Sequence, residues 1–82
     1  MRHEETLEDL IALTEVKNCS RFAQAIGVTK QFVSLATKGY QGSPALRARF
    51  LAGFKAMGLK VSSARLTDSI AASGRAYVAS IE

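Results

Sequence analysis

An 82-residue chain makes one domain, residues 1–82. At that size folding buries only about 60–70% of the surface the unfolded chain exposes, too small a core to enclose a catalytic pocket, so no enzyme is expected. A composition of 48% hydrophobic and 22% charged residues excludes a disordered chain, and a single cysteine, Cys19, excludes an intrachain disulfide framework.

The net charge of +4 is unevenly spread. Residues 1–16 set Arg2 against Glu4, Glu5, Glu8, Asp9 and Glu15, a net −4. From residue 17 onward ten bases (Lys17, Arg21, Lys30, Lys38, Arg47, Arg49, Lys55, Lys60, Arg65, Arg75) face only Asp68 and Glu82, a net +8. That asymmetry suits a polyanionic partner. The chain opens Met-Arg-His-Glu-Glu and carries no apolar stretch of leader or membrane-spanning length, so a cytoplasmic protein with no membrane partner is expected.

In chain order, Thr6-Leu7-Glu8-Asp9 reads as a capping box, with Leu7, Leu10, Ile11 and Thr14 on one face of a first helix and acids at its positive end. Asn18 caps a short second helix whose inward side is Phe22, Ala23 and Ile26, and Gly27 stops it. Thr29 caps a third helix from Lys30 to about Lys38, closed by Gly39. Tyr40-Gln41-Gly42 is a loop. Ser43-Pro44 starts a fourth helix, since serine caps while proline fits the first helical position, and its apolar stripe is Leu46, Phe50, Phe54 and Met57 before Gly58. In the last 24 residues Leu66, Ile70, Tyr77 and Ile81 fit a helical stripe running through Gly74, while Tyr77, Ala79 and Ile81 also alternate. A helix near 63–73 followed by a second helix or a short strand is expected there, giving an all-α fold of four to five helices.

Two helices meeting steeply across a short turn need a small residue at the crossing, a glycine in the turn and an apolar lock. Ala23, Gly27 and Val33 meet those needs, with Phe22, Ile26 and Val28 beside them. Over residues 18–39 the pairs Phe22-Ala23, Gly27-Val28 and Val33-Ser34 with the closing Gly39 resemble the phage repressor and Cro-type helix-turn-helix family of transcription regulators. Cys19, Leu35 and Ala36 depart from the family's usual residues, but none of them is a turn position.

The resemblance implies double-stranded DNA as partner, with residues 30–38 as a recognition helix in the major groove. Thr29, Lys30, Gln31, Ser34 and Lys38 would then read bases, lysine donating to guanine and glutamine pairing with adenine. Phe32 and Leu35 are weighed between thymine-methyl contacts and the core. Arg21, Arg47 and Arg49 would hold phosphates beside helix N-termini. Leu66, Ile70, Tyr77, Val78 and Ile81 exceed what a small core covers and are read as a homodimer interface. A role as repressor or activator for a phage, plasmid or mobile element, with RNA polymerase as a further contact, rests on the resemblance alone. The alternative is a protein-interaction module, an antitoxin or anti-activator. One histidine, His3, and one cysteine make no zinc site within a chain, and no cofactor is expected.

Overall fold

The structure, a computed structural model, describes residues 4–81; His3 and Glu82 lie outside them. Five helices make up an all-helical domain among the described residues: α1 Leu7–Ala12, α2 Cys19–Ile26, α3 Lys30–Ala36, α4 Pro44–Ala56 and α5 Ser63–Ile81.

Each of the first four helices starts where a side-chain oxygen accepts one of the otherwise unpaired first-turn N–H groups. Thr6 Oγ1 accepts from the Asp9 amide at 3.2 Å while the Asp9 carboxylate accepts from the Thr6 amide at 2.9 Å. Asn18 Oδ1 accepts from the Arg21 amide, Thr29 Oγ1 from the Phe32 amide and Ser43 Oγ from the Leu46 amide. The amide of Leu7 is satisfied from far along the chain: it donates to the buried Ser73 Oγ of α5 at 2.8 Å, so α5 supports the start of α1.

The core is one cluster. Leu7, Leu10 and Ile11 of α1 meet Phe22 and Ala23 of α2, Val33 and Ala36 of α3, Phe50 and Phe54 of α4, and Leu66 and Ile70 of α5. At its centre the Phe22 ring stacks on Phe50, centroids 5.8 Å apart, and tilts against Phe54 at 4.7 Å. Burying each such ring contributes about 1.5–3 kcal/mol. α2 and α4 cross where Gly53 faces Ile26, so closely that a Cβ on Gly53 would collide with the isoleucine.

The chain departs from its sequence expectations in three places. α3 ends at Ala36 and not near Lys38, because Gly39 takes a left-handed φ of 100° and the Tyr40 amide bonds back to the Leu35 carbonyl at 3.1 Å, a glycine-type helix stop. The open choice at the C-terminus resolves to one 19-residue helix passing through Gly74. That glycine is there for contact: a Cβ on it would lie 2.9 Å from Gly39 Cα, so the loop after α3 rests directly on the α5 backbone. Finally, Leu66 and Ile70 are fully buried in the chain's own core, where α5 packs against α1, α3 and α4, and are not part of any surface left for a second copy.

Two bidentate ion pairs hold the segment before α1 on α5. Arg65 meets the Glu5 carboxylate with two bonds of 2.8 Å, and Arg75 meets Glu4 at 2.8 and 3.0 Å. Among the described residues no helix is long and apolar enough to cross a membrane.

Candidate nucleic-acid interface

α2 and α3 are joined by residues 27–29 alone. Gly27 sits at φ 74°, ψ 30°, and the Val28 amide closes onto the Ala23 carbonyl at 3.1 Å. A Cβ on Gly27 would find space, its nearest neighbour being Arg49 Nη1 at 3.8 Å, so the backbone conformation is what calls for glycine. Ala23 and Val33 are buried on either side of the turn, where the sequence places the crossing and the lock.

This mounting leaves one face of α3 to solvent. Val33 and Ala36 point inward; Lys30, Gln31, Ser34 and Leu35 are exposed, with Thr29 at the helix start. Thr29 Oγ1 is engaged as a cap acceptor but keeps its own proton to donate. Lys38 stands beyond the helix end, and its ammonium lies 5.5 Å from the centre of the Tyr77 ring, drawn toward α5. The structure therefore brings Thr29, Lys30, Gln31 and Ser34 together and sets Lys38 apart.

The three arginines read as phosphate contacts differ in kind. Arg21 is exposed in the first turn of α2. Arg49 is exposed and ties α4 to the turn, Nη1 donating to the Gly27 carbonyl at 3.2 Å. Arg47 is half-buried, and its Nη1 donates to the carbonyls of Gln41 and Gly42, both at 3.1 Å; it fastens the loop between α3 and α4. Nothing in the sequence around Arg47 separates such a fastening from a solvent-facing base.

The charge asymmetry acquires a spatial meaning. Residues 17–60, which include all of α2, α3 and α4, hold eight bases and no acid. Arg65 and Arg75 on α5 pair with Glu5 and Glu4, whose carboxyls are held below their ordinary values chiefly by those hydrogen bonds. The pairs thus neutralise α5 and leave the positive charge concentrated on the helices around the turn. Burial, with the Glu8 carboxylate adding to it, pushes the Cys19 thiol up, so it stays protonated at the start of α2.

Beside α3 the structure shows a groove of about 360 Å³ that the sequence did not reveal, between the turn and the start of α4, where Phe32 and Tyr40 line it with Val28, Leu46 and Arg49. Phe32 is therefore a groove residue and not core. Among the described residues no three His, Cys, Asp or Glu side chains are placed to hold a metal ion. No family model, curated protein or solved structure matches the chain.

Proposed function

We propose that this protein binds double-stranded DNA with α3 in the major groove and regulates transcription by occupying its site, as a Cro-type helix-turn-helix protein would. The observation that carries the reading is the exposed polar face of α3, held by a capped three-residue turn within an acid-free run of residues. Gln31 suits adenine N6 and N7, Lys30 suits guanine O6 and N7, and Thr29 and Ser34 complete the face. Arg21 and Arg49 neutralise phosphates on either side. Two copies pair through the exposed end of α5, at Tyr77, Val78 and Ile81, so that their α3 helices meet successive turns of a palindromic site about 34 Å apart.

A salt titration of duplex binding tests this. Each phosphate neutralised contributes about −0.9 to the slope of log K against log salt. A slope steeper than about −3 is expected, and a chain with no measurable duplex affinity at low salt refutes the proposal. The exposed apolar end of α5 also supports a second reading, a module that binds another protein; it would show self-association or partner binding without that slope.

A further inference from the structure

We infer that Leu35 reads the 5-methyl group of a thymine, which makes it a determinant of sequence preference and not a packing residue; the inference rests on the DNA-binding reading above. Successive residues of an α-helix are about 100° apart. With Val33 and Ala36 defining the inward direction of α3, Gln31 lies roughly 170° from it, and Ser34 and Leu35 roughly 130° from it on opposite sides. Leu35 thus stands at one edge of the outward stripe, between Gln31 and the groove-lining Phe32, with Ser34 at the opposite edge. Phe32 lies only about 70° from the inward direction, and it has neighbours in the groove with Tyr40 and Leu46.

Leu35 is 44% exposed and belongs neither to the core cluster nor to the side chains packed against it. A leucine on the edge of a polar recognition face leaves apolar surface in water unless the partner offers something apolar there. The surrounding bases and the absence of acids from residues 17–60 call for a polyanion. On the major-groove edge of duplex DNA the one apolar group is the thymine methyl; every other feature is a hydrogen-bond donor or acceptor. Gln31 and Leu35 are one turn apart, about 6 Å along the axis, and base pairs rise about 3.4 Å. The thymine therefore lies within about two base pairs of the adenine that Gln31 would read.

The test uses the full chain and a duplex selected by it from a pool with a randomised central segment. Each thymine of the selected duplex is replaced singly by deoxyuridine, which deletes the methyl and leaves base pairing intact. One replacement should weaken binding about fourfold, the worth of one buried methyl-sized group. Leu35→Ala, which keeps helix propensity and should melt like the parent, should bind the thymine and deoxyuridine duplexes equally. Two results overturn the inference alone: no deoxyuridine position weakens the parent, or the weakening persists in Leu35→Ala. A Leu35→Ala variant that loses self-association while keeping the methyl effect assigns Leu35 to a protein contact instead. A pool that yields no enriched duplex overturns the DNA reading and the inference together.

Discussion

Replacing Gly74 by alanine tests the joint between the end of α3 and the long helix behind it. In the interior of a 19-residue helix a Gly→Ala change normally stabilises by about 1 kcal/mol, because glycine has the greater freedom to lose. Here the new Cβ would lie 2.9 Å from Gly39 Cα and 3.4 Å from the Lys38 carbonyl oxygen. Carbon pairs settle at about 3.5–4.0 Å, so the loop must retreat by roughly 0.6–1 Å. Both neighbours are backbone and have no rotamer to escape into. Overpacking of this kind costs about 1–3 kcal/mol, which outweighs the propensity gain and leaves a net loss of up to about 2 kcal/mol. In a domain of this size each kcal/mol moves Tm by about 4–8 °C. Thermal melting followed by circular dichroism reads the change, and Ala76→Gly, at an exposed position of α5, calibrates the propensity contribution with a loss of about 1 kcal/mol. If Gly74→Ala melts higher than the parent by as much as Ala76→Gly melts lower, propensity acts alone and the Gly39–Gly74 contact does not exist.

The other tests divide between the turn, the outward face of α3, the ion pairs and the proposed interface. Gly27→Val forces a β-branched residue to φ 74° and should destabilise by at least about 1–2 kcal/mol, whereas Gly27→Asn should cost less; equal melting of both with the parent would contradict the turn. Gln31→Ala should weaken a selected duplex by about 1–3 kcal/mol and random sequence hardly at all, while Arg21→Ala should weaken both alike and reduce the salt slope by about one. Because the folded values of Glu4 and Glu5 are lowered, their stabilising contribution is present above the ordinary carboxylate range and is lost as the pH falls through that range toward the folded values. Solvent screening keeps the half-exposed Glu5–Arg65 pair below about 1 kcal/mol, so Glu5→Gln should flatten the acid limb of Tm against pH slightly; an unaltered limb would mean that the pair does not persist in solution. Tyr77→Asp should abolish any self-association seen by sedimentation with only a small fall in Tm, since Tyr77 is not part of the core cluster.

How much of this was legible in the sequence depends on the range of the interaction. Caps and stops are local: Thr6, Asn18, Thr29 and Ser43 act on amides three residues ahead, and Gly27 answers to its own φ, so four helix starts and the turn follow from neighbouring residue types. The contact between Gly39 and Gly74, 35 positions later, was not legible, because a sequence pattern does not show which glycines touch. The same holds for Ser73 accepting the Leu7 amide and for Arg47 turning inward to the Gln41 and Gly42 carbonyls. For the candidate site, the residues of the outward face follow from helical period once Val33 is fixed as the lock. Lys38 escapes that logic because the helix ends before it, and its aromatic neighbour comes from α5.

The correction at Leu66 and Ile70 bears on how strongly two copies can hold each other. A sequence counts apolar positions without saying which side of a helix the core will claim, and α5 spends its first half closing the core. What remains for pairing is Tyr77 at 38% exposure, Val78 at 47% and Ile81 at 64%. Those side chains offer roughly 300 Å² on each copy, against the ~800 Å² per partner of a stable, standard-sized interface. The charge works against association in free solution as well, since each copy brings the acid-free basic run of residues 17–60. The proposed pairing is therefore weak without DNA and is reinforced by it: a palindromic duplex fixes two copies side by side and its phosphates offset the repulsion between them. Self-association should then be slight for the free chain at low salt and should rise with added salt, as screening removes the repulsion while leaving the apolar contact.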